Sequence, residues 1–388
     1  MLEFILPVAV GGLAVAFGRK KAWSDEKSIE LVFKNVGVGY KIGDEFKHPQ
    51  LIATDKESQI VTTYKYKTAL GLPDKVIAPL KEILSKTLNK SVVVHYTDYL
   101  YIHVFHEEIP KLVHYRDIPK DKKGWLVPLG MNEEGWHFHD FDAVPHMTIA
   151  GTTRFGKTVN LKSTMTYLIE QHPEDAEFIL IDLKGGLEFE RYKNLKQVRH
   201  VCKDSTETHA VLQQLHLEFS ERMALFLERG INNVVDSPVK KRLFVIVDEA
   251  AQLAPEGWME ADLRKQLAEC QYYLSEIARV CGGLGVRLIY ATQYPTADTL
   301  PRQVKMNSDI KVSYRLPAGY ASKVAIDQEG AECLPSDIKG RALIKTHELK
   351  EVQTPFITDK EMSRRLKEYV IKKGTTPPPG NNDSFEIG

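Results

Sequence analysis

The chain has 388 residues, 43% of them hydrophobic and 27% charged, a globular composition too long for one small core. Its 52 Lys plus Arg are matched by 52 Asp plus Glu, which excludes a globally basic nucleic-acid binder, so any polyanion contact must be local or built by assembling subunits. Four scattered cysteines, Cys202, Cys270, Cys281 and Cys333, form no C-x-x-C pair, which argues against a disulfide framework or a zinc site and fits a reducing compartment.

The N-terminus reads MLEFILPVAVGGLAVAFG and is followed directly by Arg19, Lys20 and Lys21. Its apolar run is shorter than the roughly 20 residues a spanning helix wants. Positive charge after the run, and not before it, is the reverse of a secretory signal and favours a cytoplasmic body. Residues 1–21 are therefore read as a membrane anchor, with the cell membrane as the expected location; the plainer reading is a buried N-terminal helix.

Residues 22–123 are expected to form a small α/β domain. LIATDKESQIVTTYKYKTA alternates like strands, VIAPLKEILSKTL has helical spacing, and SVVVHYTDYLYIHVFHE reads as a hairpin turned near Thr97 and Asp98. The polar stretch RDIPKDKKGW marks a boundary, and residues 124–371 follow as the main domain. There the strands HMTIAG, EFILIDL, RLFVIVDEA, VRLIYATQ and DIKVSYRL alternate with long helical runs. Near-continuous apolar strands separated by helices predict a parallel sheet covered on both faces. The Pro- and Gly-rich stretch 372–388 is expected to be disordered.

GTTRFGKT, residues 151–158, fits the phosphate-cradle template G-x-x-x-x-G-K-[ST] and sits between a strand and a helix, as that template demands. The backbone of Gly151, Thr152, Thr153, Arg154, Phe155 and Gly156 would cradle the phosphates. Lys157 would reach the β and γ phosphates, and Thr158 would ligate Mg²⁺. The strand RLFVIVDEA ends in two acids: Asp248 for the Mg²⁺ shell and Glu249 to polarise the attacking water. Gln293, at the end of VRLIYATQ, can sense the γ-phosphate without adding charge. ATP and Mg²⁺ are thus the expected cofactors. WHFHDFD offers His137, His139, Asp140 and Asp142 as metal ligands but reads better as a half-exposed strand. IDLKGG reads as a strand and Gly-rich turn, and KNLKQVRHVCK as solvated surface.

PHMTIAGTTRFGKTVNL, FILIDLKGGLEFERY, LFVIVDEAAQL, GVRLIYATQYP and SKVAIDQEGAECL…KGRALI occur in the order and spacing of the FtsK/SpoIIIE family, and the chain resembles that family from about residue 144 to 346. The resemblance implies a RecA-like P-loop motor, a homo-hexameric ring around DNA, and ATP-driven DNA translocation. In that ring, Arg302, Lys305, Arg264 and Lys265 are the candidate DNA contacts. Relatives often carry an arginine eleven residues before the Gln of ATQ; here that position is Gly282, and Arg279 one helical turn earlier is the candidate for a trans-acting role. Tyr294 replaces a usual arginine after ATQ. Without the several spanning helices and winged-helix reader of cell-division members, the chain looks more like a conjugative coupling member. Such a member delivers relaxase-bound DNA to membrane channel proteins. The alternatives are protein secretion and chromosome segregation by the same family.

Overall fold

A computed structural model of the chain describes residues 23–42, 44–56, 60–68, 74–120 and 123–371. The expected membrane anchor and the expected disordered tail lie outside the described residues. The chain divides into two compact units, Met1–Ile109 and Pro110–Gly388.

The first unit contains α1 (Asp25–Val36), β1 (Tyr40–Ile42), β2 (Glu45–Lys47), β3 (Gln50–Asp55), β4 (Val61–Lys67), α2 (Asp74–Leu88), β5 (Val92–Tyr96) and β6 (Leu100–Phe105). Four of its strands form an antiparallel sheet in the order β3-β4-β6-β5, and β5 and β6 are the expected hairpin. Alternation sends Tyr64, Tyr66, Leu100, Ile102 and Val104 to one face, where they pack with Ile29 and Phe33 of α1 and Leu80 and Leu84 of α2.

The second unit adds β7 (Val113–His114), β8 (Leu126–Asn132), β9 (Gly135–Asp140), β10 (His146–Ala150), α3 (Lys157–Gln171), β11 (Ala176–Asp182), β12 (Val198–Cys202), α4 (Ser205–Glu228) and β13 (Arg242–Asp248). These are followed by α5 (Ala261–Glu276), β14 (Val286–Thr292), α6 (Arg302–Met306), β15 (Ile310–Tyr314), α7 (Gly319–Ile326), β16 (Arg341–Lys345), β17 (Leu349–Gln353), β18 (Pro355–Phe356) and α8 (Asp359–Arg365). Its ten-stranded sheet has the order β12-β11-β13-β14-β10-β15-β16-β17-β8-β9. From β12 to β15 the strands are parallel; from β16 to β9 they are antiparallel.

The parallel strands are apolar on both sides because both faces are covered. Phe244 and Ile246 of β13 pack with Leu161, Met165 and Leu168 of α3. Their neighbours Val245 and Val247 pack with Leu215 and Phe219 of α4 and Leu267 and Leu274 of α5. The helix α4 starts where Asp204 accepts the N–H groups of Thr206 and Glu207, both at 2.9 Å, a side-chain cap at the end of β12.

Three expectations need correcting. The sheet is parallel only in part, since β16, β17, β8 and β9 extend it in antiparallel fashion. KNLKQVRHVCK is not mere surface: it contains β12, which among the described residues pairs only with β11, with His200 exposed and Cys202 buried. The unit boundary falls at Ile109/Pro110 and not at residue 123, because the connector is anchored in the larger core. Tyr115, Ile118 and Trp125 are buried there, and Tyr115 donates its hydroxyl to Glu170 at 2.9 Å.

Candidate functional site

Five of the six parallel strands, β11, β13, β14, β10 and β15, bring the motifs together at their carboxyl ends. Ala150 pairs with Thr292 and Ser313, and Asp182 pairs with Asp248, so strand ends from different motifs lie in register. Crevices at the carboxyl ends of such strands are where open α/β sheets bind ligands.

The loop after β10 is held from both sides. Gly151 donates its N–H to Thr292 at 3.2 Å, and Thr152 donates N–H and hydroxyl to the Arg315 carbonyl at 3.2 and 3.0 Å. On the far side, Gly340 donates to the Phe155 carbonyl at 2.9 Å. Gly151 and Gly156 adopt φ of +156° and +117°, and a Cβ on Gly151 would stand 2.5 Å from Tyr314 Cβ. Glycine is required at both positions. Arg154 also adopts a left-handed φ, +74°, while Phe155 packs against the core under α3. Past the loop, the first N–H groups of α3 have no partner inside the helix and face the mouth of the cradle.

The charges are concentrated beside it. Lys157 is 4% exposed; its ammonium bonds the Asp248 carboxylate and lies 3.7 Å from Glu249 Oε2. Thr158 donates its hydroxyl to Asp248 Oδ2 at 3.1 Å. Glu249, the residue after β13, takes a left-handed conformation, φ +64°, and its Oε1 accepts the Gln293 N–H at 3.3 Å. The buried Glu249 Oε2 receives no well-formed hydrogen bond, although the Lys184 ammonium lies 3.3 Å away; the distances define an ion-pair cluster, not a directed bond. Gln293 in turn accepts the Thr153 hydroxyl at 3.0 Å.

These residues fit a Mg²⁺-bound nucleoside triphosphate. A buried lysine at the cradle mouth supplies positive charge, and Thr158 with Asp248 presents the hard oxygens that Mg²⁺ takes. Among the described residues no group of three or more His, Cys, Asp or Glu side chains is placed to hold a metal by itself.

The other candidates are dispersed. In WHFHDFD, Asp142 is bound by Arg242 at 2.8 and 3.0 Å and by Arg287 at 2.6 Å. Burial alone would raise the Asp142 carboxyl, but those guanidinium bonds hold it below its ordinary value. His139 is buried, and burial pushes its imidazole down to about 4. The stretch is structural. Arg279 lies on a π-helical turn, Ile277–Cys281, bound to Glu276 at 3.0 and 2.7 Å, and among the described contacts it touches neither the loop nor the acid pair. Lys305 is held by Asp327 at 2.8 Å, whereas Arg264, Lys265 and Arg302 are exposed.

The sequence did not announce that Lys184 stands beside Glu249, 3.3 Å from its Oε2. IDLKGG is more than a turn: Asp182 accepts the N–H groups of Lys184, Glu188 and Phe189 at 3.3, 2.8 and 3.1 Å, which fixes the loop and carries Lys184 to Glu249. An acid ending one strand beside the acid pair ending its neighbour was the available signal.

The fold, the cradle and the acid pair define a P-loop ATPase domain. A model of the FtsK/SpoIIIE family matches residues 116–242. DNA translocase FtsK of Helicobacter pylori is 26% identical over 330 residues, 79% of this chain and 38% of the relative. That of Caldanaerobacter subterraneus is 26% identical over 358 residues, 87% and 47% respectively. The chain thus spans less than half the length of these curated relatives. The structure of the pCW3 conjugation coupling protein TcpA, in monomer form with ATPγS, superposes with a TM-score of 0.63 at 24% identity, covering 89% of this chain and 99% of that one. The cytoplasmic domain of the type VII secretion ATPase EccC of Thermomonospora curvata gives 0.54 at 20% identity, covering 68% and 33%. Both likenesses concern the fold.

Proposed function

We propose that the chain is an ATP-hydrolysing motor that translocates DNA, and that it serves as a coupling protein in conjugative transfer. The observation that carries the reading is the buried Lys157–Asp248–Glu249 cluster facing a glycine-hinged cradle, in a chain with an FtsK/SpoIIIE domain. Lys157 binds the phosphates, Thr158 and Asp248 hold Mg²⁺, Glu249 orients the attacking water, and Gln293 senses the γ-phosphate. The DNA substrate is inferred from the curated relatives, which are DNA translocases. The coupling role is inferred from the likeness to TcpA along nearly its whole length.

Six copies form a ring in this proposal. Arg279 of one subunit serves the nucleotide of the next, and exposed Arg264, Lys265 and Arg302 contribute to DNA contact. Residues 1–21 anchor the ring at the cell membrane, beside a channel that receives relaxase-bound DNA. The test is ATP hydrolysis by the purified chain with and without duplex DNA. Stimulation by DNA that is abolished in Glu249→Gln, with ATP binding retained, supports the reading. Hydrolysis indifferent to DNA but stimulated by a secretion-signal peptide replaces it with protein export.

A further inference from the structure

We propose that Lys184 is a positioning residue for Glu249, holding its carboxylate in the orientation needed to direct the attacking water; the inference rests on the hydrolytic reading of the same site. Two oxygens must be fixed to orient a carboxylate. Oε1 is held by the Gln293 N–H at 3.3 Å, which leaves Oε2 to be set by charge. Two ammonium groups approach Oε2, Lys184 at 3.3 Å and Lys157 at 3.7 Å. Lys157 also bonds Asp248 and stands at the cradle mouth, so phosphate draws it away from Glu249 when nucleotide binds. Lys184 is then the cation that stays.

The backbone around Lys184 suits that duty. Asp182 is in register with Asp248 across β11 and β13, so the residue two past one acid lies beside the residue one past the other. Asp182 pins the loop through the N–H groups of Lys184, Glu188 and Phe189, and Gly185 and Gly186 take left-handed φ of +74° and +78° to turn the chain straight after Lys184. The Lys184 side chain is 31% exposed, so its removal leaves no buried cavity. Glu249 is only 8% exposed and sits in a left-handed conformation, and a carboxylate so confined depends on its partners for direction.

The experiment compares the full chain with Lys184→Ala and Lys184→Arg in two measurements: equilibrium binding of a fluorescent ATP analogue, and steady-state hydrolysis of Mg-ATP. Lys184→Ala is expected to lower kcat by about 10- to 100-fold while the Kd for the analogue and KM stay within about twofold. Lys184→Arg, which keeps the charge, restores most of kcat. Unchanged kcat in Lys184→Ala overturns the proposal. A loss of binding that accounts for the loss of rate also overturns it, since Lys184 then contacts phosphate. If the alanine variant does not fold, Lys184→Gln is measured in its place and read the same way. A wild-type chain that binds the analogue and hydrolyses none sinks the hydrolytic reading itself, whereas an active wild type with an equally active Lys184→Ala sinks only the inference.

Discussion

The hydroxyl of Thr153 donates to Gln293 Oε1 across 3.0 Å, so a side-chain bond joins the phosphate loop to the end of β14 beside the Gly151–Thr292 backbone bond. The backbone N–H of Gln293 also reaches Glu249 at 3.3 Å. A neutral amide between loop and acid can change partner when phosphate arrives without altering the charge of the site. Gln293→Ala should therefore lower kcat about tenfold, or ~1.4 kcal/mol, with little change in nucleotide affinity. Steady-state kinetics beside equilibrium binding checks this, and a parallel loss of affinity would count against a sensing role.

Lys157 and Asp248 are 4% and 0% exposed and bonded to one another, and that pairing bears on the usual knockout of such a site. Removing one partner of a buried pair strands the other charge, at about 3–5 kcal/mol. Lys157→Ala should thus destabilise the nucleotide-free chain as well as abolish ATP binding. Lys157→Met combined with Asp248→Asn, which leaves no unpaired charge, should recover most of that stability and still bind no ATP. Denaturant melts of the two variants separate folding from function; equal stability in both would refute the coupling.

The meeting of the 151–158 loop with Asp248 and Glu249 was legible in the sequence because the pattern that announces it is local. A template with fixed Gly, Lys and Thr positions needs only a strand before and a helix after it, and both are present around residues 151–158. Lys184 was not legible in that way, since its role depends on Asp182 lying opposite Asp248, a register no local pattern announces. Nor was β12: an edge strand with one neighbour keeps charged residues, and Arg199 bonded to Glu218 hides its strand character. The boundary was misplaced for a similar reason. RDIPKDKKGW is polar on average, yet Ile118 and Trp125 within it are core residues. Gly282 read as a departure from the family pattern, and its cause, Pro145, is remote in sequence.

Two buried histidines make the larger unit sensitive to acid. Burial, with help from the nearby Arg287 guanidinium, pushes His146 down to about 3, and burial takes His139 down to about 4, each from 6.5. In the unfolded chain both protonate near 6.5, whereas in the fold they stay neutral, so the unfolded state binds more protons as pH falls below that value. Their contribution is fully present above about 6.5 and is lost from there down to about 4 for His139 and about 3 for His146, at up to ~1.4 kcal/mol per pH unit for each histidine. Melts from pH 7.5 to 5 should show falling stability, and His139→Leu should flatten the slope by about one proton. An unchanged slope would mean that other groups carry it.

Gly282 and Arg279 bear on the trans-acting arginine of the proposed ring. A Cβ on Gly282 would lie 2.6 Å from Pro145 Cγ, just before β10, and the Gly282 carbonyl already accepts Arg287 at 2.6 Å. No side chain fits there without moving the lead-in to the phosphate loop, and Gly282→Ala should cost about 1–3 kcal/mol. Arg279 is free of that constraint: 55% of its side chain is exposed, and Glu276 holds it at the surface. Arg279→Ala should leave the fold and nucleotide binding intact while reducing hydrolysis at least 100-fold in the assembled form. Mixing decides whether the arginine acts on its own subunit or on the next. Arg279→Ala subunits retain Glu249, and Glu249→Gln subunits retain Arg279, so an equimolar mixture should hydrolyse ATP faster than either variant alone. If the mixture only averages the two, Arg279 does not act across subunits. Gly282→Arg would not rescue the loss, because the clash with Pro145 disturbs the strand that leads into the cradle.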